Sequence, residues 1–301
     1  MNYDAVIVGG GPAGLAGALT LGRARKRVLL CDFGPPRNAR AVQVQNFVTR
    51  DGTPPAEFRR IAREQLRAYP NVDIKDQRAD AISGERGRFD VVVGDETVHA
   101  RRVLLCTGMI DDLPDIAGFH ELWGESIFAC PYCHGWEVQD RRFGLLATDP
   151  ETLSFAIFLR GWSRHVTLLT HGVVTVPPDV RSSLQAADVH LDERPIARLR
   201  AEDDHLAAIE FVEGNAIELD VLFAHPKQRQ VPLVRSLNLA LDDKGFVRVD
   251  DMRETSVPGI YVAGDLITPA QSAVLAAAAG MFAAAALNRA LTIELATGGA
   301  L

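Results

Sequence analysis

The sequence has only four cysteines in 301 residues, too few to hold a chain of this length together as a disulfide scaffold. It also lacks a basic tract. The formal net charge is −7, and a surface of that sign repels the phosphate backbone of nucleic acids. These two features argue against a disulfide-rich secreted module and against a nucleic-acid-binding protein.

The amino-acid sequence also shows no pattern typical of a targeting signal or of a membrane-spanning helix. The N-terminus shows no basic region followed by an apolar stretch and a small-residue cleavage site, so we expect no secretory signal. The longest apolar run, 270–286, is mostly alanine, which forms helices strongly and anchors poorly in a membrane. We therefore expect a packed helix there, a cytoplasmic location and no membrane partner.

Apolar runs alternate between short strands and helices, which is typical of an α/β protein. Hydrophobic residues make up 47% of the chain, enough for two cores. We predict two Rossmann-like dinucleotide-binding domains, the second inserted into the first: 1–113 with 236–301 form the outer domain, and 114–235 form the inserted domain. The patterns predict strands at 3–8, 27–31, 103–106, 143–147, 165–170 and 260–263. They predict helices at 12–25, 54–69 and 152–162, and linkers at 111–114 and 225–232. Between 79 and 102 they predict short strands that are broken by Gly84, Gly87 and Gly94.

A dinucleotide fingerprint follows the first predicted strand. Gly9, Gly11 and Gly14 have the G-x-G-x-x-G spacing, and Pro12 and Ala13 open the helix behind them. In this motif the glycines allow a tight turn, a close approach of the backbone to a pyrophosphate, and close packing of helix on strand. Asp32 ends the second predicted strand, where an acidic side chain accepts hydrogen bonds from a ribose diol.

The fingerprint alone does not separate FAD from NAD. Near the far end of the chain, a short strand leads into Gly264-Asp265 and a helix, and this arrangement resembles the second FAD signature of flavoproteins with two dinucleotide folds. A helix N-terminus there stabilises the negative charge that a reduced flavin carries. We therefore expect FAD rather than NAD in the outer domain.

Cys130-Pro131-Tyr132-Cys133 is a C-x-x-C motif, followed directly by His134. Two thiols at this spacing form a redox disulfide, and a neighbouring histidine can move the proton of a leaving thiolate. Half of a zinc site, a structural disulfide, inert buried thiols and a purely structural histidine are the alternatives. No metal site is expected, because the other two cysteines, Cys31 and Cys106, lie in predicted buried strands.

Taken in order along the chain, these motifs resemble those of the low-molecular-weight thioredoxin reductases over nearly the full length. The resemblance implies FAD in a split outer domain, a redox disulfide in the inserted domain and a homodimer. It implies that Cys130 exchanges with substrate, Cys133 faces the flavin and His134 moves protons. It adds further flavin contacts at Arg37, Asn38, Asn46, Thr107, Ser272 and Ala273.

The inserted domain departs from that family in its nucleotide loop. The segment 147–152 carries Ala147 and Asp149 in place of the first two glycines of the expected second fingerprint, and Glu151 adds a carboxylate. These side chains obstruct and repel a pyrophosphate. The basic cluster expected for a 2′-phosphate is absent from 170–174, so we predict that NADPH binds poorly.

Cys-Pro-Tyr-Cys-His combined with an altered nicotinamide site is similar to the natural-product dithiol oxidases of the gliotoxin and holomycin type. That likeness implies oxidation of a small-molecule or peptide dithiol to a disulfide, with O₂ as electron acceptor. An NAD(P)H-dependent reductase acting on a thioredoxin-like protein is the main alternative, and a protein electron donor is a variant of either. A flavin-binding redox sensor without turnover is the alternative of a different class.

Overall fold

The structure is a computed structural model that describes residues 2–299. The chain divides into two compact units. Unit 1 contains the residues up to Ile110 and those from Gln228 onward, and unit 2 contains Asp111–Lys227. Both units carry parallel sheets, so the α/β class with one dinucleotide-binding fold inserted into another is confirmed.

Strands and helices are numbered in chain order. The strands are β1 Asn2–Val8, β2 Val28–Cys31, β3 Val72–Lys75, β4 Ala79–Glu85, β5 Arg88–Val93, β6 Glu96–Leu105, β7 Met109–Asp112, β8 Ile127–Phe128, β9 Phe143–Leu146, β10 Val166–Leu169, β11 His190–Asp192, β12 Ile196–Glu202, β13 His205–Phe211, β14 Ile217–Glu218, β15 Val221–Ala224, β16 Lys227–Gln230 and β17 Ile260–Val262. The helices are α1 Pro12–Arg23, α2 Pro55–Leu66, α3 Phe119–Leu122, α4 Pro131–His134, α5 Phe155–Leu159, α6 Pro178–Ala186, α7 Pro232–Ser236 and α8 Ala273–Thr297.

Unit 1 is built on a seven-stranded sheet in the order β3-β2-β1-β6-β5-β4, with β17 also pairing with β6. Strands β1, β2, β3, β6 and β17 run parallel, so their carboxyl ends meet at one edge. Unit 2 has a parallel five-stranded sheet in the order β11-β10-β9-β15-β8 and an antiparallel sheet of β12, β13 and β14. Ligands of parallel α/β sheets bind at the carboxyl edge.

The predicted break before Val103 is wrong, because β6 runs without interruption and pairs with β1 in one register from His99 to Leu105. Its other edge changes partner along its length. Residues up to Ala100 pair with β5, and Val103–Leu105 pair with β17. Gly84 does not end a strand either, since it lies inside β4 opposite Phe89.

Both predicted linkers contain strands. Segments 111–114 and 225–232 supply residues of β7 and β16, which pair with each other. The second boundary between the units lies before the predicted residue 236, at Gln228. The reason is apolar burial: Leu233 and Val234 belong to the core beneath the sheet of unit 1.

Helix α8 is the alanine-rich run, and by length and apolar composition it is long enough to cross a membrane. Core helices of soluble proteins meet the same criterion. One face of α8 packs against α1 and contributes Ala283, Ala284 and Leu287 to a core shared with the sheet. The predicted packed helix is therefore present.

Candidate active site

The fingerprint turn has no room for a side chain at the first or the third glycine of the motif. Gly9 has a φ of +110°, and a Cβ there would lie 2.3 Å from the carbonyl oxygen of Cys106. A Cβ on Gly14 would lie 1.8 Å from the carbonyl oxygen of Gly9. By contrast, nothing lies within 4 Å of a Cβ built on Gly11. The turn thus packs tightly against β6 and stays open where a ligand backbone would approach.

Helix α1 starts behind this turn without a side-chain cap. Its N-cap is Gly11, Pro12 has no N–H group, and the first intrahelical N–H bond reaches from Leu15 back to Gly11. The N–H groups of Ala13 and Gly14 therefore have no acceptor within the helix. Free N–H groups at the positive end of a helix dipole are the usual site for a pyrophosphate.

Asp32 lies at the end of β2 beside the turn and is largely buried. One of its carboxylate oxygens accepts the Gly10 N–H at 3.1 Å, and the other is shared by the guanidinium groups of Arg59 and Arg63. Both arginines lie on α2, four residues apart, so they project from one helix face. Sequence reasoning missed them. Their spacing in an amphipathic helix was the available signal.

A second helix N-terminus is brought to the same edge by close packing of α8 on α1. A Cβ on Gly280 would lie 2.0 Å from the Ala13 carbonyl oxygen, so the two helices meet at a residue that must stay small. A Cβ at Gly264, which follows β17, would lie 3.1 Å from the Cβ of Ala13. Asp265, the next residue, forms an ion pair of 3.1 Å with Arg37.

The remaining predicted cofactor residues differ in their surroundings. The Ser272 hydroxyl accepts the Leu275 N–H at 3.2 Å and so caps α8, which leaves the N–H of Ala273 without an intrahelical acceptor. Thr107 is the second residue after β6 and lies beside Gly9. Asn38 and Asn46 are exposed, and their hydrogen bonds stay within the loop that follows β2. The structure therefore does not join them to the other predicted cofactor residues.

These residues fit FAD. The turn leaves space for a pyrophosphate only at Gly11, free N–H groups surround that space, and an acidic side chain follows β2 on one side. Gly9, Gly11, Pro12, Ala13, Gly14 and Asp32 would hold the adenosine and pyrophosphate parts, and Gly264, Asp265, Ser272 and Ala273 lie where the remainder of the dinucleotide would extend.

The C-x-x-C motif lies in unit 2 at the start of the four-residue helix α4, with Cys130 as its N-cap. The two sulfurs are 2.7 Å apart, and both residues are half-buried. The hydrogen bond from the Cys133 thiol, joined by the backbone N–H groups of Cys133 and Tyr132, lowers the pKa of Cys130 to about 7. The same contact and burial raise the pKa of Cys133. Cys130 is therefore the thiolate of the reduced pair.

His134 ends the same helix, and its ring stacks on Phe128 with centroids 4.2 Å apart and planes 9° apart. Burial lowers the pKa of His134, and a hydrogen bond with the Cys130 backbone opposes that shift. Its Nδ1 is buried without a hydrogen-bond partner. A neutral ring with an unengaged nitrogen, held one residue from the sulfur pair, suits a group that accepts a proton.

Aromatic side chains from α5 and from the turn that follows it support the redox helix. Trp162 meets Tyr132 edge-on at 5.4 Å and Phe158 at 5.1 Å. A Cβ on Gly135 would lie 2.7 Å from the Trp162 ring, so the indole packs directly against the end of α4. The sequence motif gave no indication of this support.

The other two cysteines are core residues, as predicted. Cys31 and Cys106 are buried, and burial raises the pKa of Cys31 to about 12 and that of Cys106 as well. They are therefore protonated and unreactive at neutral pH. No group of three or more His, Cys, Asp or Glu side chains positioned to hold a metal ion occurs within residues 2–299.

The second nucleotide loop is closed by its own side chains. Asp149 caps the turn after β9, because its carboxylate accepts the Glu151 N–H at 2.8 Å. The predicted helix 152–162 is shorter than expected: a 3-10 turn covers Pro150–Thr152, and α5 covers only Phe155–Leu159. The N–H group that a pyrophosphate would use is thus engaged by a carboxylate.

The segment after β10 has no cation free to bind a 2′-phosphate. His171 has a φ of +53°, and its Nδ1 accepts the Ile196 N–H at 2.8 Å. The first arginine beyond it, Arg181, is held at 2.7 Å by both carboxylate oxygens of Glu193. The two features that serve NADPH in a second dinucleotide fold are therefore replaced in this chain.

Comparison with known proteins gives matches along almost the whole chain. The model of the pyridine nucleotide-disulphide oxidoreductase family matches residues 3–281. Thioredoxin reductase sirT of Leptosphaeria maculans is 30% identical over 305 residues, covering 95% of this chain and 93% of that protein. Among solved structures, HlmI is 36% identical with a TM-score of 0.91, covering 99% and 95% of the two chains. An oxidoreductase from Agrobacterium tumefaciens is 35% identical with a TM-score of 0.92, covering 97% and 99%.

These matches agree with the residues described above, which combine a dinucleotide turn suited to FAD with a vicinal cysteine pair. The chain belongs to the pyridine nucleotide-disulphide oxidoreductase family and is an FAD-dependent disulfide oxidoreductase of the thioredoxin-reductase type.

Proposed function

We propose that this protein oxidises a small-molecule or peptide dithiol to a disulfide through Cys130 and Cys133, and that O₂ takes the electrons. The overall change converts a dithiol and O₂ into a cyclic disulfide and H₂O₂, with two electrons and two protons transferred. The observation that carries the proposal is the Asp149 cap, which engages the N–H group of the loop where a nicotinamide nucleotide would bind.

The sulfur chemistry follows from the pair itself. A substrate thiolate attacks the Cys130 sulfur of the oxidised pair, a mixed disulfide forms, and Cys133 leaves as a thiolate. The second substrate thiolate then attacks the substrate sulfur of the mixed disulfide, closes the product disulfide and releases Cys130. Once Cys133 has taken up a proton, its thiol donates to Cys130 and lowers the pKa of that cysteine to about 7, so Cys130 is a good leaving group in this second step.

Protons have an assigned route as well. The substrate thiol must lose a proton before each attack, and His134 is a neutral base one residue from Cys133. Stacking on Phe128 fixes the ring plane, so the ring does not need to be ordered during the reaction. Bound FAD supplies the two-electron acceptor for the reduced cysteine pair.

An anaerobic reduction experiment tests the proposal. Purified protein with FAD bound is mixed separately with NADPH, NADH and dithiothreitol, and flavin absorbance is followed. We expect bleaching by the dithiol alone, and one equivalent of H₂O₂ per flavin when air is admitted. Fast bleaching by NADPH would instead establish the NAD(P)H-dependent reductase, and failure of every donor to bleach the flavin would favour a redox sensor.

We also propose a cytoplasmic homodimer, on the basis of family resemblance and of buried free thiols at Cys31 and Cys106. Such thiols are typical of a reducing compartment. Light scattering of the purified protein with FAD bound tests the dimer, and a monomeric mass at micromolar concentration would contradict it.

A further inference from the structure

Four polar side chains form a connected cluster at the carboxyl edge of the sheet in unit 1. The Arg37 guanidinium donates to Asp265 at 3.1 Å and to the Gln271 side-chain oxygen at 2.5 Å. Gln271 and Gln228 exchange two amide hydrogen bonds of 3.0 and 2.8 Å. The cluster therefore joins the loop after β2 to the segment between β17 and α8 and to β16.

Strand order places this cluster at one end of the dinucleotide site. Along the sheet, β2 with Asp32 is followed by β1 with the fingerprint turn, then by β6, and then by β17 with Asp265. A dinucleotide whose ribose contacts Asp32 and whose pyrophosphate contacts the turn must extend toward β17. Although Arg37 follows β2 in sequence, its guanidinium lies at the β17 end, where the flavin half is expected.

Gln271 is the residue that holds Arg37 there. Its side-chain oxygen accepts from both Arg37 and Gln228, and its amide group donates to Gln228 and to the Thr268 carbonyl at 3.2 Å. Arg37 comes from a segment without regular structure, and an arginine side chain loses conformational entropy when it is fixed. A second acceptor beside Asp265 offsets that cost and restricts the direction of the guanidinium.

We propose that Gln271 is a positioning residue that fixes Arg37 against Asp265, and that this ion pair sets the reduction potential of the bound flavin. This inference rests on FAD binding at the fingerprint, not on the identity of the electron acceptor. A reduced flavin is more negative than an oxidised one, so the Arg37 cation favours reduction and the Asp265 carboxylate opposes it. Gln271 acts only through the position of Arg37.

The test measures FAD affinity and the flavin midpoint potential, the latter with a reference dye and an enzymatic reductant. The native protein is compared with Arg37→Gln, Arg37→Lys, Gln271→Leu and the double variant Arg37→Gln/Gln271→Leu. We expect Arg37→Gln to lower the equilibrium constant for flavin reduction about tenfold, which lowers the midpoint potential by about 30 mV for a two-electron couple. Gln271→Leu should lower the same equilibrium constant about threefold, or the potential by about 14 mV. Arg37→Lys, which keeps the charge, should retain most of the native potential. The double variant should match Arg37→Gln alone.

Gln65→Leu is the matched control, because Gln65 is exposed on α2 outside this cluster. Gln65→Leu should leave the FAD affinity and the flavin midpoint potential unchanged. Asp265→Asn should raise the potential, a sign that general damage to the site would not produce. The proposal is overturned if Arg37→Gln and Gln271→Leu bind FAD with native potentials, if their shifts add in the double variant, or if only FAD affinity changes. If Gln271→Leu fails to fold, Gln271→Asn replaces it in the same comparison, because the shorter amide withdraws its oxygen from Arg37.

These potentials are measured without a dithiol substrate or O₂. A failure of this inference is therefore distinguishable from a failure of the proposed oxidase activity, which is judged by dithiol bleaching and peroxide release.

Discussion

Each unit has a turn after a central parallel strand of its sheet, and the two turns differ in every feature that binds a pyrophosphate. In unit 1, the turn after β1 has an open Gly11 and an uncapped helix of twelve residues. In unit 2, the turn after β9 has Asp149 as a cap and leads through a 3-10 turn into a helix of five residues. The same fold therefore carries one turn with free N–H groups for a phosphate and one turn that is capped by its own carboxylate.

The comparison shows how little change is needed to cap such a turn. A carboxylate at an N-cap supplies the same electrostatic and hydrogen-bonding partner that a phosphate would supply. The capped turn is thus satisfied by its own side chain, and a nucleotide would have to displace a bonded carboxylate and overcome its charge. Four predictions break or sharpen this contrast.

Replacing Cys133 with serine should have the largest effect. If electrons enter only through the sulfur pair, dithiol turnover should fall to background while FAD stays bound, because the fingerprint turn is unchanged. Stopped-flow flavin reduction and the yellow absorbance of the purified variant measure the two outcomes. Cys106→Ser, at a buried cysteine outside the C-x-x-C motif, is the control. Continued NADPH turnover in Cys133→Ser would show that the second turn admits a nucleotide.

Gly14→Ala should damage the first turn severely. Its Cβ would lie 1.8 Å from a backbone carbonyl oxygen, a clash that costs about 3 kcal/mol or more. We expect a lower melting temperature and loss of bound FAD. Gly11→Ala is the informative partner, because its Cβ meets no atom of the folded protein. It should melt normally and yet bind FAD at least about tenfold more weakly; normal FAD affinity in this variant would place the pyrophosphate elsewhere.

Reopening the second turn should have an intermediate effect. The double substitution Ala147→Gly/Asp149→Gly removes the cap and one carboxylate, so NADH and NADPH should bind about tenfold more tightly, the scale of one charge repulsion near a protein surface. Loss of the cap should cost about 1 kcal/mol in stability. Isothermal titration measures the affinity. Asp203→Gly, an equivalent change on an exposed turn of unit 2, should leave nucleotide affinity unchanged; equal gains in both variants would contradict the role given to Asp149.

The smallest effect concerns the pH dependence of the reduced pair. Because the pKa of Cys130 is lowered to about 7, its thiolate population rises as pH increases through that value. Alkylation by iodoacetamide should show a midpoint there, below the ordinary thiol value of 9.0. In Cys133→Ala the main stabilising hydrogen bond is lost, so the midpoint should move upward. An unshifted midpoint in that variant would assign the lowered pKa to the helix backbone alone.

Much of the architecture was readable from local sequence. Gly9, Gly11 and Gly14 between a strand and a helix required a dinucleotide turn, and the spacing of Cys130 and Cys133 required sulfurs within reach of each other. The replaced glycines at 147 and 149 already indicated an altered second turn. These features are local, so the chain carries them wherever the turn is placed.

The remaining features depend on residues far apart in sequence. Arg37 and Gln271 meet across 234 positions, and Arg63 reaches Asp32 across 31. The Arg37 contact leaves no periodic or spaced pattern, because it is set by strand order and by the close packing of α8 on α1. Arg59 and Arg63 do show a helical spacing, but that spacing does not identify Asp32 as their partner.

The sequence by itself determined which chemical groups are present: a glycine turn for a dinucleotide, a vicinal thiol pair, and acidic side chains in place of a second glycine turn. Only the tertiary structure decided what each group contacts, including the carboxylate that caps the second turn and the glutamines that hold Arg37. The physical reason is that spacing along the chain fixes backbone turns, whereas hydrogen bonding and burial depend on which distant elements the sheet brings together.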